Sequence, residues 1–176
     1  MQPKKLIRDV IVPAFYALYM HVVFKIILFK FGRMEFGFLL DRVHQDVEHP
    51  RYMKERLLSG NLQPFETITS TLRNMTSHNL YNLIGNIAIF MPLGVFLYVI
   101  YKQQGLTCVG VFMRALALSL SLEVLQVVFS IGRFDVDDLI LNVFGGLLGY
   151  GLMLGVRLAG RVFGLLRVRG EVEGRG

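Results

Sequence analysis

The stretch LYNLIGNIAIFMPLGVFLYVIY, residues 80–101, carries no charged side chain and is long enough to decide the fold of the chain. A helix rises about 1.5 Å per residue, and about 20 apolar residues therefore cross the hydrocarbon core of a bilayer. Three further segments of this kind run from about Val10 to Phe31, Leu106 to Phe129 and Leu139 to Gly160. The sequence predicts an all-α polytopic membrane protein, a compact bundle of four transmembrane helices.

The composition of the chain agrees with a membrane protein. Of its 176 residues 53% are hydrophobic and 18% are charged, and the mean hydropathy is +0.50. A soluble domain carries roughly 25% charged residues. The net charge of +6 could indicate nucleic-acid binding. The basic residues instead flank apolar segments, which is typical of contact with lipid headgroups. We therefore expect the lipid bilayer as a partner and no nucleic acid.

The short connections between the apolar segments indicate a single domain. Residues 102–105 form a tight turn between the second and third helices, and residues 130–138 join the third to the fourth. The link between the first two helices, residues 32–79, is longer, and within it the stretch from Phe36 to Leu58 predicts one or two surface helices. Residues 161–176 form a basic tail.

The distribution of lysine and arginine predicts the orientation of the bundle. One set of segments holds nine basic residues: Lys4, Lys5, Arg8, Lys102, Arg157, Arg161, Arg167, Arg169 and Arg175. The other set, nearly twice as long, holds eight: Lys30, Arg33, Arg42, Arg51, Lys54, Arg56, Arg73 and Arg133. Basic residues concentrate on the cytoplasmic side of membrane proteins. Both termini are therefore predicted to be cytoplasmic, and the long link lies outside.

In this orientation three helices bring polar side chains to one depth, near the outer leaflet. They form a polar cluster of seven residues: Asn82, Asn86, Glu123, Gln126, Asp135, Asp138 and Asn142. Within each helix the spacing of three, four or seven residues places these side chains on one face. A carboxylate inside a span carries a large free-energy cost unless it faces the bundle interior or a water-filled cavity. The pattern predicts an inward-facing polar site.

Each member of the polar cluster also has a purely structural interpretation. The two asparagines could join helices by hydrogen bonds. Glu123 could form an ion pair with Arg133, Lys30 or Lys25, or act as a functional acid. Asp135 could cap the fourth helix, with Asp138 as its reciprocal partner.

The carboxylates and amides could alternatively bind a hard cation such as Mg²⁺ or Ca²⁺. The single cysteine, Cys108, excludes a thiolate cage, and the histidines are too scattered for a zinc site. We favour no metal, and no cofactor is expected.

Glycines in the fourth segment indicate close helix packing. Gly145 and Gly149, and again Gly151 and Gly155, are four residues apart, a spacing that lets two helices approach closely. The first pair continues the stripe that carries the polar residues of this helix. We therefore expect the polar face to pack inward.

Four segments in order resemble VanZ-like membrane proteins. The run NLQPF from Asn61 to Phe65, followed by Ile68, is similar to the Asn-Leu-x-Pro-Phe-x-x-Ile segment of that family. The run NLIGNIAIFMPLG from Asn82 to Gly94 resembles its second-helix signature. The strings EVLQ (123–126), GRFDVDD (132–138) and NVFGG (142–146) match its third and fourth helices. The end of the first helix, Leu28-Phe29-Lys30, also fits, whereas residues 36–58 and the basic tail do not belong to the pattern.

The resemblance implies a role at the bacterial cell membrane. The family's namesake lowers susceptibility to teicoplanin, a glycopeptide that binds peptidoglycan precursors at the outer membrane surface. The implied partner is a lipid-linked peptidoglycan precursor or a glycopeptide antibiotic. With the polar cluster, the resemblance gives these candidate ligand-binding residues: Asn61, Pro64, Phe65, Asn82, Asn86, Glu123, Gln126, Arg133, Asp135, Asp138 and Asn142.

Two classes of function follow from these residues. The first is a non-enzymatic binding or remodelling protein of the cell envelope. The second is an intramembrane enzyme that uses Glu123 or Asp138 as general acid or base, with Arg133 steadying a phosphate or a developing anion. No nucleophile motif is recognisable, and the binding role is therefore favoured. The sequence does not define an oligomeric state.

The predicted orientation is tested by a reporter fused to the C-terminus. We expect a reporter that is active only in the cytoplasm to be active, because the basic residues favour a cytoplasmic C-terminus. Activity of an extracytoplasmic reporter at this position would reverse the topology and move the polar cluster to the inner leaflet.

Overall fold

The computed structural model describes residues 3–28, 44, 51, 54–55 and 58–173. The described chain is helical and contains no β-strand, only an isolated parallel bridge between Asn61 and Asp135. Its helices are α1 (Pro3–Leu6), α2 (Val12–Leu28), α3 (Glu66–Asn74), α4 (Ser77–Tyr101), α5 (Cys108–Val128) and α6 (Val136–Glu173). A π-helical turn (Ile7–Ile11) joins α1 to α2, and a 3₁₀ turn (Lys102–Gln104) follows α4. The predicted all-α class is confirmed.

Four helical segments are long and apolar enough to cross a membrane, as predicted. They are Ile7–Leu28, Asn79–Gln104, Cys108–Val128 and Val136–Arg161. Each presents large apolar side chains on its outer surface, such as Phe15, Tyr81, Val109 and Leu152. Such a belt suits hydrocarbon rather than water. The protein is a multi-pass membrane protein.

The link between the first two spans contains a helix, α3. The surface helices predicted between Phe36 and Leu58 fall almost entirely outside the described residues. The fourth span also differs from expectation, because α6 begins at Val136 and continues without a break to Glu173, through much of the predicted basic tail.

The centre of the bundle is the contact between α4 and α6, where glycines lie against backbone carbonyls. A Cβ atom on Gly149 would lie 1.9 Å from the carbonyl oxygen of Met91, and one on Gly145 would lie 2.3 Å from that of Ile87. No side chain fits at these distances, so the two backbones touch. By contrast, the described residues place no atom within 4 Å of a Cβ on Gly151 or Gly155. The expectation that the second glycine pair also packs closely is therefore wrong for the described chain.

The first span completes the core through side chains of α2. Val23 and Ile27 are buried against the other helices, and the Tyr19 hydroxyl donates to the carbonyl oxygen of Ile89 at 2.8 Å. The buried hydrophobic cluster consists of Val23, Ile27, Phe90, Leu93, Leu97, Tyr98, Val111, Ala115, Leu122, Val143 and Tyr150.

Asp137, in the first turn of α6, holds the start of α3. Its side chain is fully buried and accepts hydrogen bonds from the backbone N–H groups of Phe65 at 2.5 Å and Ile68 at 3.0 Å. These N–H groups have no partner within α3, because the first donors of a helix never do. The carboxylate satisfies them from another helix and also suits the positive end of the α3 dipole.

Asn61 gives the same segment a second attachment. Its carbonyl oxygen accepts from the backbone N–H of Val136 at 3.0 Å, and its amide nitrogen donates to Asp135 at 3.0 Å and to Asp137 at 3.4 Å. The preceding Gly60 lies against the chain before α6, where a Cβ would be 2.3 Å from the carbonyl oxygen of Phe134. Residues 60–68 are thus fixed onto the N-terminus of α6.

Substitution of Gly149 tests the α4–α6 contact. We expect Gly149→Ala to destabilise the protein by roughly 1–3 kcal/mol, because the added methyl group overpacks against the carbonyl of Met91. The measurement is the midpoint of heat-induced loss of the folded peak in detergent size-exclusion chromatography. Gly155→Ala is the matched control, six residues along the same helix in open space. Equal midpoints for the two variants would contradict the contact.

Substitution of Asp137 tests the attachment of α3. We expect Asp137→Ala to increase hydrogen exchange at the backbone amides of residues 65 and 68, because both lose their acceptor. Hydrogen–deuterium exchange with mass spectrometry measures this in peptides from the segment. The control is Glu66→Gln, whose exposed side chain lies in the same turn. Unchanged exchange in Asp137→Ala would contradict the role of this carboxylate.

Candidate polar site at one end of the bundle

Asp135 caps the N-terminus of α6, as predicted, but its reciprocal partner is different from the one expected. The Asp135 carboxylate accepts from the backbone N–H of Asp137 at 2.8 Å. The backbone N–H of Asp135 donates to Glu123 Oε2 at 3.0 Å, rather than to Asp138. A carboxylate from α5 therefore closes the cap of α6. The buried Glu123, 2% exposed, thereby joins two helices.

Asp138 is directed to α4 instead of back to its own cap. Its Oδ1 atom accepts a hydrogen bond from the side-chain amide of Asn86. Asn86 lies next to Ile87, whose carbonyl touches Gly145, and the close backbone contact therefore brings the two polar groups within reach. The pair places one carboxylate and one amide between α4 and α6.

Gln126 joins α5 to both α2 and the turn that follows α5. Its side-chain amide donates to the carbonyl oxygen of Ile27 at 3.0 Å. Its own backbone carbonyl accepts from the N–H groups of Ile131 at 2.9 Å and Gly132 at 3.2 Å. One buried glutamine therefore sets the position of the first span and of the chain that leads to Asp135.

Asn142 lies deepest of the polar residues on α6 and is only 3% exposed. Its amide nitrogen donates to the hydroxyl of the buried Ser119 at 2.9 Å. Its carbonyl oxygen is also buried and has no hydrogen-bond partner in the part of the chain that the structure describes. Buried polar atoms are nearly always paired. Asn142 therefore offers one buried acceptor.

Two adjoining cavities occupy this end of the bundle. The outer cavity, of about 370 Å³, lies beneath α3 and is lined by Thr67, Asn82, Gln126, Ile131, Gly132, Arg133, Asp135 and Asp138. The inner cavity, of about 260 Å³, is lined by Ile26, Ile27, Tyr81, Asn82, Gly85, Asn86, Ile89, Glu123, Gln126, Asp138 and Asn142. Both walls contain Asn82, Gln126 and Asp138. All seven residues of the polar cluster line one cavity or both.

Neither of the two described cations proposed as partners of Glu123 forms an ion pair with it. Arg133 is exposed at the outer cavity and forms no ion pair with any described residue. Lys25 is also exposed and unpaired within the described residues. These two proposed ion pairs are therefore wrong, and Lys30 lies outside the described residues. Arg133 instead places a positive charge at the cavity wall.

The candidates taken from the loop motif support the site without lining the cavities. Asn61 reaches Asp135, whereas Pro64 and Phe65 are exposed in the turn before α3. Phe65 contributes its backbone, which has a φ of 70°, in the left-handed region. A turn of this conformation directs its N–H toward Asp137.

Three residues that the sequence analysis did not select complete the hydrogen bonds. They are Thr67, which donates to Asp135 at 3.1 Å, Asp137, and Ser119. Asp137 lies off the stripe formed by Asp135, Asp138 and Asn142, and the helical spacing therefore gave no reason to select it. The sequence feature that could have pointed to it is the group of three acidic residues at the start of α6, Asp135, Asp137 and Asp138.

The walls of the two cavities offer both hydrogen-bond donors and acceptors. Among the described residues, no group of three or more His, Cys, Asp or Glu side chains is arranged to hold a metal ion. The walls instead combine carboxylates, amides and a single arginine with apolar side chains. Such a mixture can bind and orient a polar group that is attached to an apolar one.

Comparison with known proteins agrees with the motifs. The VanZ/LLP1 family model matches residues 15–159, which include the second and third spans, most of the first and fourth, and the polar cluster. A stretch of 97 residues is 41% identical to Protein VanZ of Enterococcus faecium, covering 53% of this chain and 53% of that protein. The alignment thus spans about half the length of this relative. No solved structure matches the chain. The chain belongs to the VanZ/LLP1 family.

Proposed function

We propose that this protein binds the polar part of a lipid-linked cell-wall precursor at the outer leaflet of the bacterial cell membrane, and that this binding protects against teicoplanin. The observation that carries the proposal is the pair of adjoining cavities whose walls gather the polar cluster at one end of a membrane bundle. Membership of the VanZ/LLP1 family, and the similarity to Protein VanZ, support a role of this kind.

The size of the cavities favours a headgroup over a whole antibiotic. Pockets that enclose drug-sized ligands have volumes of about 300–1,000 Å³. The volumes here, about 370 and 260 Å³, lie at or below the lower end of that range. A glycopeptide antibiotic is larger than such ligands. A precursor headgroup, bound while its lipid stays in the bilayer, fits the available space better.

The charges of the outer cavity suit a precursor as well. Arg133 carries no ion pair among the described residues and lines the cavity together with Asp135 and Asp138. An arginine in this position can bind a phosphate or carboxylate of the ligand through two hydrogen bonds. The predicted orientation, with both termini cytoplasmic, places this arginine on the outer side of the membrane, where such precursors are displayed.

An intramembrane enzyme is the second candidate, because Glu123 and Asp138 line the same inner cavity. Both are engaged in hydrogen bonds that fix them, Glu123 to the Asp135 N–H and Asp138 to Asn86. A general acid or base must exchange a proton, and replacing it with the matching amide removes this capacity. A binding residue retains its shape and part of its hydrogen bonding in the same replacement.

Isosteric variants separate the two functions. We expect Glu123→Gln and Asp138→Asn to retain most of the teicoplanin protection, whereas an enzyme would lose about 100-fold or more of its rate. Asp138→Leu should abolish protection, because an apolar side chain leaves the Asn86 amide buried without its acceptor. The measurement is the minimum inhibitory concentration of teicoplanin in a susceptible strain that expresses each variant.

Membrane abundance is the control, measured by immunoblot of a tagged protein. Loss of protection in both amide variants at wild-type abundance would favour the enzyme. A wild-type protein that gives no protection would overturn the proposed function itself. Arg114→Gln is a matched surface variant on α5, far along the helix from Glu123, and it should behave as wild type.

A further inference from the structure

We infer that the inner cavity receives a hydroxyl-bearing, sugar-type headgroup of a membrane lipid, which enters sideways from the bilayer between α2 and α4. The inference rests on the proposed function and deepens it, since it names the chemistry of the bound group and its route. Three independent features carry it: a buried acceptor, an acceptor-rich wall and a mouth that faces lipid.

The buried acceptor is the carbonyl oxygen of Asn142. This residue lines the inner cavity, is 3% exposed, and has its amide nitrogen committed to Ser119. Its oxygen has no partner among the described residues. An unpaired buried carbonyl costs free energy that a donor on a ligand would recover. The ligand should therefore carry a hydrogen-bond donor at the depth of Asn142.

The rest of the polar wall is also rich in acceptors. Glu123 and Asp138 contribute carboxylate oxygens, which accept hydrogen bonds when ionised. The amides of Asn86 and Gln126 already donate, one to Asp138 and the other to the carbonyl of Ile27. A hydroxyl group can donate to these oxygens and can also accept from the Asn82 amide. An ammonium group can donate to the same oxygens but cannot accept from the Asn82 amide, and a phosphocholine group has no hydrogen-bond donor.

The mouth of the inner cavity lies between two membrane-spanning helices. Ile26 of α2 is 44% exposed and Tyr81 of α4 is 76% exposed, and both belong to segments that cross the membrane. Gly85, one turn after Tyr81 on the same face of α4, has no described atom within 4 Å of the position of a Cβ. This side of the cavity therefore adjoins the bilayer, and a lipid can reach it without leaving the membrane.

The volume limits what enters. At about 260 Å³ the inner cavity is smaller than pockets that enclose drug-sized ligands, and its remaining wall is formed by Ile26, Ile27 and Ile89. One sugar-sized group fits such a space, with the apolar part of the lipid left at the mouth beside Tyr81.

Gly85→Leu tests the route with little risk to folding, because the added side chain extends into open space. Gly151→Leu is the matched control, since that glycine also lies in a span with no described atom near its Cβ and is far from the cavities. The purified proteins are placed in phosphatidylcholine nanodiscs and exposed to decyl glucoside, decylphosphocholine or decylamine. Native mass spectrometry then measures how much of each probe is retained.

We expect the wild type and Gly151→Leu to retain decyl glucoside about tenfold better than either other probe, as one or two hydrogen bonds would provide. Gly85→Leu should lower the retention of decyl glucoside to the level of decylphosphocholine. Asn142→Leu should lower it as well. Equal retention of the three probes by the wild type, preference for decylamine, or undiminished retention by Gly85→Leu would each overturn the inference.

Teicoplanin protection separates failure of this inference from failure of the proposed function. If Asp138→Leu loses protection while Gly85→Leu keeps it at equal abundance, the lateral route is wrong and the envelope function stands. If the wild type gives no protection, the proposed function is wrong, and retention of the probes still decides which headgroup the cavity binds.

Discussion

The direct contact between the backbones of α4 and α6 is the constraint on which the rest of this protein depends. At Gly145 and Gly149 a single methyl group would collide with a carbonyl of α4. Such a contact fixes the rotation and the axial position of the two helices, because only one register brings both glycines onto carbonyls. That register places Asn86 beside Asp138, which lies about two turns from Gly145 toward the N-terminus of α6. The pairing of Asn86 with Asp138 therefore follows from packing that involves no polar side chain.

The three acidic residues at the start of α6 show how closely spacing determines role. Asp135 caps its own helix, Asp137 caps α3, and Asp138 binds Asn86 on α4. Neighbouring positions on a helix point about 100° apart, so Asp137 faces away from the stripe of Asp138 and reaches α3, whereas Asp138 reaches α4. All three lie at the positive end of the α6 dipole, which favours their charge. Asp135 and Asp138 line the outer or the inner cavity, whereas Asp137 attaches the start of α3 to α6.

Much of this arrangement could be predicted from the sequence. The four spans follow from long runs without charge, and the gathering of Asn82, Glu123 and Asp138 follows from helical spacing together with alternating direction. The partners within the cluster could not be predicted. Whether the cap of Asp135 is closed by Asp138 or by Glu123 depends on how α5 and α6 are rotated, which spacing within one helix does not define. The role of Asp137 depends on α3, a polar segment between spans whose docking has no periodic signal.

The Gly151–Gly155 pair also shows that spacing within one helix does not determine its contacts. Its spacing is identical to that of Gly145 and Gly149, yet only the first pair meets another described helix. A spacing motif permits close approach, and it contributes to packing only where a partner helix is present at that depth. The contact between α4 and α6 continues past Gly149 to Tyr150, whose ring lies 6.0 Å from that of Tyr98. The site adjoins the close contact at Gly145, and hydrogen bonds to one another and to the backbone hold its amides and carboxylates in place. The carbonyl oxygen of Asn142 is the exception among the described residues, and it lies in the cavity where a ligand would supply the missing donor.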